Sequence, residues 1–123
     1  MTIEFDNAML QRVRAAVRPG DTILTLGKGK PNRIVDISRD GVLVETEASV
    51  GKASGPQLVP AWMVIAGWEH LAVRRTLTQA HLLKVLNVKR SAFVCALLAQ
   101  MPGIEVQSTR PVVLRRVGAS MVE

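Results

Sequence analysis

Between Thr78 and Leu98 the apolar residues fall where two short helices crossing at a tight bend need them, and this spacing restricts the fold more than any other feature of the chain. Leu82, Leu86, Val88, Val94 and Leu98 are placed to face one another, with Asn87 at the bend. Thr78 is a good cap for a helix over about 79–86, and Ser91 for one over about 92–101. Pro102-Gly103 stops the second helix. Residues 104–107 and 112–117 then read as two strands around Ser108-Thr109-Arg110-Pro111.

The stretch resembles the helix-turn-helix of bacterial DNA-binding regulators, in which a Gln-x-x-Leu helix leads through a Leu-Gly-Val-Ser-Arg-Ser-like turn into a second helix. This chain has Gln79-Ala80-His81-Leu82 and then Leu86-Asn87-Val88-Lys89-Arg90-Ser91, with Asn in the glycine's place. Asn tolerates a left-handed backbone better than most residues, so the departure is mild. Three helices followed by a two-stranded hairpin is the order of a winged helix, and the resemblance to that family covers roughly residues 61–117. It implies non-catalytic binding of double-stranded DNA, in a bacterial regulator or as the DNA-contacting module of a defence or mobile-element system.

The charge distribution points the same way. The net charge is +6, yet residues 1–73 hold eight Lys/Arg and eight Asp/Glu. Residues 74–123 hold eight Lys/Arg against Glu105 and Glu123 alone, so the whole excess lies with the helix-turn-helix segment. A basic half joined to a neutral half suits a polyanionic partner.

The first half has a different texture. Asp6 can cap a helix over about 7–17, with Met9, Leu10, Val13 and Val17 as its apolar stripe, and Arg18-Pro19-Gly20-Asp21 ends it. Strand character follows over 22–26, 33–37 and 42–46, with Ser38-Arg39-Asp40-Gly41 as a hairpin signal. A Gly/Ser-rich loop over 47–57 comes next, and Leu58-Val59 can return as a short fourth strand. These short strands, opening on Pro-Gly-Asp, resemble a small SH3-like barrel over about 40 residues. Pro60 suits the first turn of a helix over 61–74 that packs Trp62, Ile65 and Leu71 inward, although Val64-Ile65-Ala66 also fits a closing strand. The expected architecture is therefore α+β: an N-terminal helix (1–18), a small SH3-like β-barrel (19–60) and a C-terminal winged helix-turn-helix (61–123), the modules sharing one core or standing as separate units.

Catalysis finds no support in these residues. Gly27-Lys28-Gly29-Lys30 lacks the Gly-Lys-Ser/Thr ending of a phosphate-binding P-loop and leads into no helix, so it reads as a turn whose lysines are secondary backbone contacts. His70 and His81 are too far apart for a known ligand spacing and no Cys pair accompanies them, so neither metal nor cofactor is expected. The carboxylates are scattered. Aromatics make up 3% of the chain and Tyr is absent, which argues against single-strand binding by base stacking. Trp62 and Trp68 read as core anchors. Cys95, the single cysteine, lies in an apolar run and reads as a buried structural thiol. With no apolar run long enough for a signal peptide or a membrane span, it points to the cytoplasm.

The second helix of the pair is unusual for a base reader. With Val94 at the centre of its buried face, Leu97, Leu98 and Met101 fall alongside at 100° per residue, a spacing that leaves Ala92, Ala96, Ala99 and Gln100 opposite. Groove-reading helices usually present Arg, Lys, Asn or Gln there. Lys89, Arg90 and Ser91 gather instead at the N-terminus, where helix dipole and unbonded N–H groups favour a phosphate. Three readings of the alanine face stay open: close entry into a groove against thymine or 5-methylcytosine methyls, packing on the β module, or a homodimer seam. If the face is covered, the wing takes the contact. The expected DNA contacts are Lys89, Arg90, Arg115 and Arg116 on phosphates, Arg110 on the wing, Ser91, Ala92 and Gln100 nearest the bases, and Lys28 and Lys30 as secondary contacts. The competing reading is a protein–protein adaptor docking an acidic partner within a larger complex; RNA binding ranks behind both.

Overall fold

The computed structural model describes residues 3–46 and 55–117. The chain is mixed α+β with two antiparallel sheets. In order it forms α1 (Asn7–Ala16), β1 (Thr22–Leu24), β2 (Pro31–Ser38), β3 (Gly41–Thr46), β4 (Gln57–Pro60), α2 (Ala61–Arg74), β5 (Thr76–Thr78), α3 (Gln79–Lys84), α4 (Ser91–Leu98), β6 (Ile104–Thr109) and β7 (Val112–Arg116).

Asp6 caps α1 as expected, its carboxylate accepting the Met9 N–H at 2.8 Å, a contact that stabilises a helix by about 1 kcal/mol. Met9, Leu10 and Val13 are buried against β2, and burial of such side chains contributes roughly 1.5–3 kcal/mol each. Arg39 fixes the entry to this helix. Its carbonyl accepts the Phe5 N–H at 2.9 Å, and its guanidinium donates to the Phe5 carbonyl and to the Asn7 amide oxygen.

The first sheet runs β1-β2-β3-β4, each pair antiparallel. A bulge between Ile34 and Asp36 lets both Ile34 and Ile37 point inward. The sheet is open, with β1 and β4 as its two edges among the described residues, where the sequence suggested a small SH3-like barrel. One physical reason is the turn at Pro60: the chain leaves β4 directly into α2, so no further strand arrives to bridge β4 to β1. The hairpin expected at residues 38–41 forms, with Arg39 and Asp40 at negative φ and Gly41 at +147°. The Gly/Ser-rich loop expected over 47–57 lies largely outside the described residues.

Residues 61–74 are helical rather than a closing strand, and Pro60 stands at the cap position rather than inside the first turn. Trp62 and Ile65 are half-buried against the core, whereas Leu71 is sealed within it. Arg75, at φ 67°, ends α2 and turns the chain into β5, a strand the sequence reading missed. Leu77 is its one buried side chain, and three residues are too few to show an alternation. β5 pairs with β7, and β7 with β6, giving the order β5-β7-β6.

Thr78 caps α3 through the His81 N–H at 3.0 Å. Asn87 takes φ 58°, the left-handed conformation anticipated at the bend. Val88 N–H returns to the Leu82 carbonyl at 3.0 Å, closing the turn. Ser91, expected as the cap of α4, is its first helical residue; the cap position belongs to Arg90, whose side chain makes no capping bond. The helix stops at Leu98 rather than Met101.

Of the eight residues of α4, seven are buried and Ala92 is half-buried. A helix apolar on all sides requires partners on all sides. It packs against α2, α3 and β1. The α2 contact is close because residue 67 is glycine: a β-carbon there would stand 2.7 Å from a Leu98 methyl. Buried residues of both sheets and of α1 join in one continuous cluster.

Candidate nucleic-acid interface

The start of α4 and the β1–β2 connection face each other across a cleft of about 520 Å³. Its basic lining residues are Lys30, Lys89 and Arg90; no carboxylate lines it among the described residues. On the β side, a compact turn presents Lys30. Thr25 N–H donates to the Lys30 carbonyl at 2.9 Å, Lys30 N–H donates to Thr25 Oγ1 at 2.9 Å, and Gly29 N–H donates to the Thr25 carbonyl at 2.8 Å. Asn32, buried on the inward face of β2, adds a bond from its amide to the Lys30 carbonyl at 3.2 Å. On the helical side, Asn87 and Val88 direct the chain so that Lys89 is exposed and Arg90 reaches Gln57 Oε1 at 2.8 Å.

The third element is the β6–β7 turn. A β-carbon on Gly27 would lie 3.6 Å from the Thr109 carbonyl and from a Val112 methyl, so the lysine-bearing turn packs directly on this hairpin's tip. Arg110 is exposed there. Lys30, expected as secondary, thus lines the cleft with Lys89 and Arg90, and the turn that bears Lys28 and Lys30 packs on the hairpin that carries Arg110 at its tip. No described carboxylate pairs with Lys28, Lys30, Lys89 or Arg110; Arg33–Glu45, at 2.6 Å, lies elsewhere on the first sheet.

The remaining expected contacts lie apart from this group. Arg115 and Arg116 sit three and four residues beyond Val112, the turn-proximal end of β7, a rise of roughly 10–13 Å. Arg115 is opposite Glu105 and Thr76 in the sheet. Arg116 places its guanidinium 5.5 Å from the Trp68 ring centroid, with Arg12 at 4.4 Å from the same ring. Gln100 is exposed past the C-terminal end of α4, with the whole helix, about 12 Å long, between it and Lys89. Ser91 is 4% exposed and Ala92 half-buried, both on the cleft wall. Ala96 is sealed in the core, whereas Ala92 and Ala99 are half-buried and Gln100 is exposed.

Sequence reasoning missed Thr25, Asn32, Thr46 and Gln57, which also line the cleft. Asn32 carried a usable signal: it shares the inward face of β2 with Ile34, and a polar residue at an inward strand position implies a polar cavity beneath it. Gln57 carried none, because its role depends on Arg90, 33 residues away.

His70 and His81, distant in sequence, stack with ring centroids 4.5 Å apart. Burial, then the charges of His81 and Arg74, lower the pKa of His70 from its ordinary value. The described residues hold no group of three or more potential metal ligands. Burial pushes the Cys95 thiol up to about 12. No described helix is long and apolar enough to cross a membrane. Comparison with protein-family models, curated proteins and solved structures finds no match to this chain.

Proposed function

We propose that the chain is a non-catalytic double-stranded DNA-binding protein that grips phosphates instead of reading bases. The observation that carries this reading is a basic rim with no carboxylate among its described residues. Lys30 from the β1–β2 connection and Arg90 from the start of α4 line one cleft, exposed Lys89 lines it with them, and the turn bearing Lys28 packs on the tip of the hairpin that carries Arg110. The order α2-β5-α3-α4-β6-β7, with strands arranged β5-β7-β6, supports a winged-helix reading of residues 61–117. In that reading the β6–β7 turn is the wing. The helix that would normally enter the major groove is covered, which leaves phosphate contacts as the available mode.

Fluorescence anisotropy with labelled duplexes tests this. Four phosphate contacts, from Lys30, Lys89, Arg90 and Arg110, give a slope of log K against log salt of about −3.6. Unrelated duplex sequences bind within about tenfold of each other, because α4 presents no side chains to base edges. Affinity indifferent to salt, or a preference of several hundredfold for one sequence, rejects the reading.

One observation favours the protein–protein adaptor instead: Val73 and Val85, near the ends of α2 and α3, are 77% and 65% exposed. An acidic protein partner held by the basic rim would show no duplex binding even at low salt.

A further inference from the structure

We propose that the cleft between Lys30 and the start of α4 binds a phosphomonoester, with the phosphate at the α4 N-terminus and the organic part against Pro31 and Leu83. This goes beyond duplex binding and stands whether or not the chain binds DNA.

A helix start alone would not carry the inference, since every helix has one. Here Ser91 supplies an independent observation. Its residue is 4% exposed, it lines the cleft, and its hydroxyl has no hydrogen-bond partner among the described residues. It is nonetheless absent from the fully enclosed polar atoms lacking a partner, of which the described residues have none. The hydroxyl therefore keeps its access through the cleft. A buried polar group costs free energy unless something bonds to it, so this geometry calls for a ligand atom or water at that point.

The surrounding groups select an anion. The first intrahelical bond recorded at this end joins Val94 N–H to the Arg90 carbonyl. N–H groups at the very start of a helix have no intrahelical acceptor, and the Arg90 side chain does not cap them. These donors, the Ser91 hydroxyl, Lys89 and Lys30 present hydrogens and positive charge to one space with no lining carboxylate among the described residues. A phosphomonoester offers three acceptor oxygens and a charge of about −1.5 to −2 at neutral pH. A phosphodiester offers only two non-bridging oxygens and a single charge. The cleft's volume also matches ligand pockets, typically about 300–1,000 Å³, and exceeds what a bare phosphate fills. Half-buried Pro31 and partly exposed Leu83 give the organic part an apolar wall.

Two sources share this chemistry: a free small molecule and the terminal phosphate of a nucleic acid. The test uses the full chain and two-dimensional ¹H–¹⁵N spectra, with phenyl phosphate as the probe. Phenyl phosphate at up to about 10 mM, enough to reveal a millimolar site, shifts the Ser91, Ala92 and Phe93 amides. Inorganic phosphate shifts the same amides about fivefold more weakly, lacking the apolar contact, and phenol leaves them unmoved. Ser91→Ala weakens phenyl phosphate about fivefold, by removing a hydrogen bond to a charged group. Lys89→Met, at an exposed position that leaves the fold intact, weakens it at least as much. The DNA reading is judged by the salt slope of the parent chain on duplexes with 5′-hydroxyl ends and this proposal by phenyl phosphate, which separates failure here from failure of the DNA reading.

A duplex with 5′-phosphates bound about fivefold better than the same duplex with 5′-hydroxyls, with shifts at these three amides, identifies a nucleic-acid end as the source. Equal affinity, with phenyl phosphate still bound, identifies a small molecule. Unmoved Ser91–Phe93 amides under saturating phenyl phosphate, equal shifts with phenol, or indifference to both substitutions would overturn the proposal.

Discussion

Arg90 donates a 2.8 Å hydrogen bond from its guanidinium to Gln57 Oε1, joining the start of α4 to the edge strand of the first sheet. The bond holds a flexible cation at the cleft rather than adding much to stability, because exposed polar contacts of this kind contribute about 1 kcal/mol or less. Gln57→Ala is therefore expected to leave the melting temperature within about 2 °C of the parent. Duplex affinity should fall by only about twofold to threefold, since Arg90 keeps its charge but loses its orientation. A tenfold loss would mean that Gln57 itself touches the partner.

Charge reversal maps the interface. Lys89→Glu with Arg90→Glu, and Lys28→Glu with Lys30→Glu, should each weaken duplex binding at least about tenfold, because lost contacts are replaced by repulsion. Arg115→Glu with Arg116→Glu should cost clearly less, about threefold, because these residues lie along β7 away from the turn and Arg116 is engaged with Trp68. This ordering departs from the charge distribution along the sequence, which puts Arg115 and Arg116 ahead of the lysine turn. Equal losses from all three pairs would show that affinity follows net charge alone.

Gly41 tests the first sheet. A β-carbon there would stand 2.1 Å from the Val59 carbonyl oxygen, an atom of the neighbouring strand's backbone that cannot move without breaking the β3–β4 ladder. Gly41→Ala should destabilise the fold by about 2–4 kcal/mol, measured by urea unfolding. A change below about 0.5 kcal/mol would mean that β4 is not held where the pairing puts it.

Cys95 should be inert in the folded protein. Its thiol is buried, with a pKa pushed up to about 12, so almost no thiolate exists at pH 8. Iodoacetamide should label it only as fast as the protein unfolds, and promptly in denaturant. Rapid labelling under native conditions would place α4 outside the core.

Acid should act partly through His70. Its folded pKa lies below the ordinary 6.5, so the unfolded chain binds the proton more readily. Its contribution is fully present above that value and is lost as pH falls from about 6.5 toward the lowered folded pKa. The ring is only half-buried, so the effect is modest. Denaturant midpoints at pH 7.5 and 5.5 should differ less in His70→Gln than in the parent; an identical pH difference in both would remove His70 from the account.

Local signals fixed much of the architecture in advance. Asp6 and Thr78 declare helix starts because a short acceptor side chain can reach an unbonded N–H only two or three residues ahead. Asn87 declares the bend because few residues accept positive φ, and the apolar spacing from Leu82 to Leu98 declares two crossed helices. All of these depend on neighbours within one or two turns. β5 was missed because three residues hold too little pattern. The supposed barrel came out open because closure depends on where the chain goes after Pro60. Charge counting along the sequence put the excess in residues 74–123, and no sequence pattern placed Gly27 of the lysine turn against Thr109 of the β6–β7 hairpin, or Arg90 against Gln57. Those meetings join residues 33 to more than 80 positions apart. They arise because α4 is apolar on every side and must be covered, and covering it brings the β1–β2 turn over its N-terminus.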